Sequence, residues 1–260
     1  MAPTNEAARG ERERRAYDED GVFESSTAWM QRVIHVFEGP NTRRGEALFS
    51  AAATEAARGA RVLDVGCGRG ASTLGLLQAR PSYVLGIDVS TREIALAREA
   101  AQGLDCVDFR VQSAHEPIAD RFDLIIGRSI LHHIDFKEFL RRAFDDNLRA
   151  GGRMIFMEPM SHPLVLAFHG LVRSAHTPDE RPIRRADVAW VRRQFPKVTV
   201  YGINLLSFPA GIVSTFCCRS ADNRLTRAAD RADQSMLRAA PWLAAYARQG
   251  IIVIDKPAAA

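Results

Sequence analysis

The sequence predicts a doubly wound α/β domain, a mostly parallel sheet with helices on both faces, and three observations carry that prediction. From residue 61 onward, short apolar runs alternate with segments of helical periodicity, the signature of repeated βα units. A glycine cluster, Gly66, Gly68 and Gly70, follows the first run directly and opens the first helical segment. Asp88 ends the second run, 22 residues beyond Gly66, about where a nucleotide-binding fold keeps the carboxylate that grips ribose hydroxyls.

Length and composition set the frame. At 260 residues, the chain fits one large domain or one domain with an elaborated lid. With 47% hydrophobic and 25% charged residues it has the apolar material for a sizeable core. No run approaches the ~18 apolar residues of a membrane span. The first 21 residues are charged and lack the apolar centre of a signal peptide, so the expectation is a cytoplasmic protein without membrane contact. The net charge of +4 comes from 35 basic and 31 acidic residues, with Lys137, Lys197 and Lys256 the only lysines. Arginine pairs such as Arg14-Arg15 and Arg141-Arg142 are scattered among acids, which reads as solvated faces and not as a nucleic-acid patch. Cys67, Cys106, Cys217 and Cys218 show no C-x-x-C spacing, so neither a zinc site nor a disulfide framework is implied.

The elements follow in order. Residues 1 to about 20 form an arm rich in Arg and Glu, with Tyr17 its one aromatic. Ser26 or Thr27 can cap a helix whose Trp29, Val33, Val36 and Phe37 recur at helical spacing, and Gly39-Pro40 ends it. A second helix spans roughly 43–58. Strands are expected at 61–65, 83–88, 107–111, 122–127 and 153–158, with helices between them at 71–79, 91–101 and 137–149. The last of these helices closes on Ala150-Gly151-Gly152, which reads as a C-cap. After Glu158-Pro159 the alternation breaks, and 161–182 reads as an apolar helical lid interrupted by His and Pro. A helix at 185–195 and a run at 198–203 resume the sheet, and 205–248 is mostly helical. The run 250–255 makes a final strand that can pair antiparallel at a sheet edge. The chain thus divides into an N-terminal arm with helices over 1–58, acting as a lid, and a main domain over 59–260 with helical insertions at about 160–182 and 205–248.

The segment VLDVGCGRG at 62–70 is a buried strand running into a glycine loop. Glycines let the backbone turn tightly and approach a ligand without a Cβ, and the helix that follows offers free N–H groups. With GIDVS at 86–90, FDLIIGRSILHHI at 122–134 and LRAGGRMIFMEP at 148–159, the ordered series resembles the class I S-adenosylmethionine-dependent methyltransferases over about residues 61–159. The G-x-G-x-G spacing differs from the G-x-G-x-x-G of dinucleotide enzymes, since there is no pyrophosphate to cradle.

The resemblance implies a Rossmann-like seven-stranded sheet in the order 3-2-1-4-5-7-6 with the last strand antiparallel, S-adenosylmethionine as cofactor and S-adenosylhomocysteine as product. It implies that Asp64, Gly66, Cys67 and Gly68 line the methionyl and ribose region, that Asp88 accepts from both ribose hydroxyls, and that Val89 lies against adenine. Where family members commonly carry an acid for the adenine amino group this chain has Ser113, so that contact falls to Ser113, the backbone of Ala114, or His115. Arg128 and Ser129 would border the methionine end. Purely structural roles compete: Asp64 can cap the glycine turn, Asp88 can cap the helix before Thr91, and Cys67 reads as a small loop residue and not a nucleophile.

Methyl transfer from a sulfonium is an in-line displacement, so alignment and exclusion of water are the main requirements. Oxygen and nitrogen acceptors often use a His or Asp to take a proton. An alkene carbon needs aromatic faces to steady a cation. The regions outside the core carry Tyr17, Phe23, Trp29, Phe37, Phe168, Phe208 and Trp242, which suits a small, largely apolar acceptor. Phe23, Trp29, His132, Phe168, His169 and Phe208 are the expected acceptor-lining residues, and Tyr17, His133 and His162 the expected catalytic ones. The fourth strand ends Gly127-Arg128-Ser129, without the Asn-Pro-Pro-aromatic series of many DNA and glutamine N-methyltransferases, and no acidic cluster marks a metal site.

The flanks are similar to bacterial natural-product methyltransferases that C-methylate a terpenoid side chain. That implies methyl addition to a double bond, cyclisation of the cation, Tyr17 as a cofactor cover and cation-facing group, and His162 as proton acceptor. Expected partners are a small apolar substrate and further copies of the chain, since an arm without its own core can swap between subunits. Three rivals stand beside this reading: an O- or N-methyltransferase using His133 or a lid histidine as base, a nicotinamide-dependent oxidoreductase, which the glycine spacing disfavours, and a non-catalytic cofactor-binding protein of the same fold.

Overall fold

Seven strands form one mixed sheet in the order β3-β2-β1-β4-β5-β7-β6, in a computed structural model that describes residues 10–12, 14, 15, 18, 30–164 and 181–259. The strands are β1 (Arg61–Val65), β2 (Tyr83–Asp88), β3 (Val107–Val111), β4 (Phe122–Arg128), β5 (Leu148–Pro159), β6 (Lys197–Ile203) and β7 (Gln249–Asp255). The first three occupy the expected spans: β1 and β2, covered on both faces, read as mostly apolar runs, whereas β3 at the sheet edge buries only Phe109.

β7 pairs antiparallel with both β5 and β6, through Ile155↔Val253 and Val200↔Ile252 among others. This is the order that the family resemblance implies, and it corrects the edge position that the run 250–255 by itself suggests. Six consecutive residues of β7 are buried, a pattern that demands cover on every side. β6 takes the edge, and its alternating exposure, with Tyr201 half-exposed, shows it.

The helices are α1 (Ile34–Glu38), α2 (Pro40–Ala56), α3 (Ala71–Gly75), α4 (Thr91–Ala100), α5 (Phe136–Arg142), α6 (Arg185–Gln194), α7 (Ser207–Cys217) and α8 (Arg224–Ala239). Gly39 closes α1 and Pro40 opens α2 at the first helical position, where its missing N–H costs nothing, so α2 begins earlier than expected. Ser90 Oγ caps α4 by accepting the Glu93 N–H at 3.0 Å, and the Asp135 carboxylate caps α5.

The expected helix at 137–149 is shorter. It passes through a π turn at Ala143–Asn147, and β5 begins at Leu148, so Gly151 and Gly152 lie inside a strand and not at a C-cap. Asn147 Nδ2 ends the helix by donating to Ile118 O at 2.7 Å and Asp120 O at 3.0 Å. The β4–β5 register shifts between Phe122 and Leu124, and Gly151, at φ +78°, supplies the extra left-handed residue that such a bulge requires.

One face of the sheet buries Leu63, Leu85, Ile125, Phe122 and Phe156 with Phe139 and Leu140 of α5. The other buries Val62, Val84, Leu124, Ile126 and Met157 with Phe49 and Ala53 of α2. Neighbouring residues of one strand thus serve opposite cores, as the two-residue period dictates. The parallel strands end, and β7 begins, along one edge of this sheet. Among the described residues no helix is long and apolar enough to cross a membrane. The expected lid helix falls mostly outside the described residues, and so do Tyr17, Phe23, Trp29, Phe168 and His169.

Candidate functional site

The loop leaving β1 holds three glycines in left-handed conformation, Gly66 at φ +70°, Gly68 at +51° and Gly70 at +80°. The N–H groups of Gly66 and Cys67 both donate to Ile87 O, at 2.9 and 3.1 Å, which clamps the loop to β2. A Cβ on Gly70 would lie 2.7 Å from Phe109 Cζ, whereas one on Gly68 would meet nothing nearer than Glu93 Oε2 at 3.8 Å. Gly70 is therefore demanded by packing as well as by its backbone, and Gly68 by its backbone beside open space. Cys67 packs beneath, with its Sγ 2.9 Å from where a Cβ on Gly86 would stand. Burial pushes its thiol well above the ordinary range, which removes any nucleophilic role.

Asp88 ends β2 facing this loop. Its Oδ2 accepts the Gly68 N–H and its Oδ1 the Ser90 N–H, both at 2.9 Å. Burial raises its pKa while those two N–H groups lower it. A carboxylate has about four lone-pair sites, so two backbone donors leave room for two hydroxyls. Asp64 is buried beneath, where its Oδ2 accepts from Thr73 Oγ1 at 2.6 Å and ties α3 to β1. Burial pushes Asp64 up to about 7, against the pull of Thr73 and with the Asp88 charge adding to the rise.

Beyond β3, Ser113 Oγ accepts the His115 N–H at 3.2 Å. The Arg142 guanidinium donates to Ala114 O, and to His115 O at 2.7 Å. The N-terminal segment reaches this rim: Ser90 Oγ donates to Asp18 Oδ1 at 2.5 Å. Val89 follows Asp88 on the way to α4.

At the end of β4, Arg128 pairs with Glu46 of α2. Ser129 adopts φ +53°, a left-handed turn that its N–H bond to Met157 O at 2.9 Å helps to hold. The next turn is organised by Glu158, fully buried at the end of β5. Its Oε1 accepts the N–H groups of Ile130 and Leu131 at 2.9 Å each, and its Oε2 lies 2.8 Å from His132 Nδ1. His132 and His133 are both buried, with ring centroids 4.0 Å apart. The sequence reading missed Glu158 and Arg142. The available signal for Glu158 was a carboxylate closing an otherwise apolar buried strand.

Past β5, His162 is buried with its ring edge-on to Phe208, centroids 4.9 Å apart. Its Nδ1 accepts the Leu164 N–H at 3.1 Å and its Nε2 faces Leu205 O at 3.2 Å, so Nε2 carries the proton. Burial lowers its pKa. A neutral ring with its lone pair engaged by Leu164 can take a proton only after that contact opens. The described site residues thus fall into two groups along the edge: a nucleoside-like cradle at β1, β2 and β3, and the histidines with Phe208 at β4, β5 and beyond. The cradle offers a carboxylate with acceptor capacity to spare and a tight glycine turn, which fits S-adenosylmethionine.

The family described as Methyltransferase domain matches residues 56–179. Phosphoethanolamine N-methyltransferase 1 of Arabidopsis thaliana is 37% identical over 109 residues, which are 40% of this chain and 22% of that enzyme. Aklanonic acid methyltransferase of Streptomyces sp. (strain C5) is 34% identical over 146 residues, 54% of this chain and 64% of that one. The chain therefore spans about a fifth of the plant relative and less than two thirds of the bacterial one. Among solved structures, geranyl diphosphate C-methyltransferase from Streptomyces coelicolor A3(2) superposes with a TM-score of 0.54 at 15% identity, covering 84% of this chain and 81% of that one. At that identity the likeness is one of fold.

Proposed function

Since the chain carries a class I S-adenosylmethionine-dependent methyltransferase domain, we propose that it transfers a methyl group from S-adenosylmethionine to a small, largely apolar acceptor. The observation that carries this reading is Asp88 closing on the Gly68 N–H at 2.9 Å, with the left-handed glycines beside it. S-adenosylmethionine supplies an electrophilic methyl on a sulfonium. Asp88 would hold the ribose hydroxyls, with Val89 against adenine and Ser113, Ala114 and His115 at its polar edge. The backbone of Gly66, Cys67 and Gly68, above Asp64, would line the methionyl region, and Arg128 would border it. The remaining work of the chain is positioning and the exclusion of water. Calorimetric titration with S-adenosylmethionine and, separately, with NAD tests the reading. Micromolar binding of the first alone supports it, and binding of NAD alone overturns it.

The finer proposal concerns the acceptor. The flanks are similar to the enzyme that C-methylates the terpenoid side chain of a prenylated indolactam, the teleocidin C-methyltransferase, and one fold neighbour is a geranyl diphosphate C-methyltransferase. Both favour addition of methyl to a terpenoid double bond followed by cyclisation, with Phe23, Trp29, His132, Phe168, His169 and Phe208 around the acceptor, Tyr17 facing the cation and His162 as proton acceptor. In this reading residues 1–58 act as the lid of a 59–260 domain, and the arm is shared between subunits of a homo-oligomer. The bond from Ser90 to Asp18 supports an arm seated at the cofactor rim.

A second reading, O- or N-methylation with a histidine base, is favoured by the buried Glu158–His132 pair beside His133. His133→Ala separates the two, since His162 is the proton acceptor in the first reading. Turnover collapses in the base-dependent reaction and persists where a cation forms by proximity alone.

A further inference from the structure

Arg248 stands immediately before β7, on the sheet edge where β4 and β5 end, and the methyl transfer described above gives it no role. Its backbone is fixed from both sides, donating to Asn204 O at 2.9 Å and accepting the Met160 N–H at 2.8 Å. Its guanidinium lies 5.0 Å over the Phe37 ring, and Nη2 donates to Gln249 Oε1 at 3.1 Å. The Nε–H has no solvent-exposed surface and, among the described residues, no hydrogen-bond partner. A buried donor left unpaired is costly, and more so when the group is charged, so its retention calls for an explanation.

Charge sharpens the point. The carboxylate that attracts Arg248 is Glu46 of α2, which already pairs with Arg128. Two guanidiniums thus share one acid. Burial pulls Arg248 down only to about 10, so it stays a cation at neutral pH. The same charge disfavours a proton on His162, which sits two residues beyond Met160 and packs on Phe208. Arg248 therefore belongs to the acceptor side of the edge. In the sheet order the glycine loop of β1 lies across β4 and β5 from it.

We propose that Arg248 anchors an oxyanion of the acceptor, a carboxylate or phosphate monoester carried on an apolar body, through its Nε–H and its charge. Phe37, Phe208 and His162 face the body. This rests on the methyl-transfer reading and narrows it, from an apolar acceptor to one with an anionic handle.

The full chain, saturated with S-adenosylhomocysteine, is titrated with octanoate, octyl phosphate and 1-octanol. One of the anions binds at least tenfold more tightly than the alcohol, and which one does so identifies the handle. Arg248→Gln weakens that anion tenfold or more and leaves octanol within twofold, with S-adenosylhomocysteine binding as the check on folding. Should Arg248→Gln not fold, Arg248→Lys, which keeps a cation without the Nε–H, serves the same comparison. Equal affinity for anions and alcohol in the unsubstituted chain, or anion affinity untouched by substitution, overturns the proposal. Failure of S-adenosylhomocysteine to bind the unsubstituted chain overturns the methyl-transfer reading itself, so the two failures are distinct.

Discussion

Glu158 Oε2 lies 2.8 Å from His132 Nδ1 in a fully buried setting, while the other oxygen of the same carboxylate holds the backbone of Ile130 and Leu131. A carboxylate in that position can only accept, so the proton belongs on Nδ1. One side chain thus sets both the turn after β4 and the tautomer of the ring that follows it.

Glu158→Gln separates those roles. The amide oxygen can still take the two backbone N–H groups, but its NH2 then faces Nδ1 and forces the proton to Nε2. Nitrogen-15 spectra of labelled histidine should show the tautomer exchange, with a stability loss of about 1–3 kcal/mol in urea titration. If His132 relays a proton during turnover, kcat falls ~100-fold as well. An unchanged tautomer would sink the assignment.

Asp88→Ala should remove cofactor binding. Two charge-assisted hydrogen bonds at about 1.5–3 kcal/mol each correspond to a loss of at least ~100-fold in S-adenosylhomocysteine affinity. Asp88→Asn, which keeps one acceptor oxygen, should fall between. Calorimetric affinity for the Ala variant within tenfold of the parent would place the ribose elsewhere.

Asp64 makes stability pH-dependent with a definite sign. Its carboxyl ionises near 3.8 when exposed and at about 7 in the fold, because burial disfavours the charge. Within that window the unfolded chain binds fewer protons than the native one, so Asp64 lowers stability as pH rises and has no further effect above it. Asp64→Asn keeps an acceptor for Thr73 Oγ1 and removes the titration. Its melting temperature relative to the parent should climb from pH 5 to pH 8, at up to about 1.4 kcal/mol per unit of the folded-state shift crossed. A constant difference across that range would contradict the buried carboxyl.

Gly68→Ala and Gly70→Ala differ in what they damage. Gly68 carries the left-handed cost of ~1–2 kcal/mol and places a methyl in open space near Glu93 Oε2, in the loop whose N–H bonds Asp88, so cofactor affinity should drop at least tenfold with a small change in melting temperature. Gly70 adds a collision with Phe109 and should lose more stability. Equal melting temperatures for the two variants would refute this division.

Much of this was legible along the chain. β1 and β2 declare themselves because burial on both faces leaves mostly apolar runs, and the glycine loop and Asp88 because backbone geometry and charge leave few substitutes. The place of β7 between β5 and β6 was legible through the family resemblance, which implies that order, and not from its own apolar run, which does not say which strands flank it. The helix end at Asn147 was not legible, since a side chain bonding to carbonyls of a distant loop overrides the local glycine signal. Glu158, Arg142 and Arg248 escaped for the same reason. Each acts on backbone or charge from another part of the chain, as Arg142 does on Ala114, and no local pattern marks such partners.

The position of β7 also has a temporal meaning. Ile155 and Val200 both wait for neighbours in a strand made some fifty to a hundred residues later, Val253 and Ile252. During synthesis β1 to β5 can assemble with their helices, while β6 has no partner to bond and stays an unpaired edge. The glycine-loop cradle is therefore able to form before the β6–β7 side does, and a chain stopped ahead of Gln249 would expose two bare edges at once, a hazard for aggregation more than for the glycine loop.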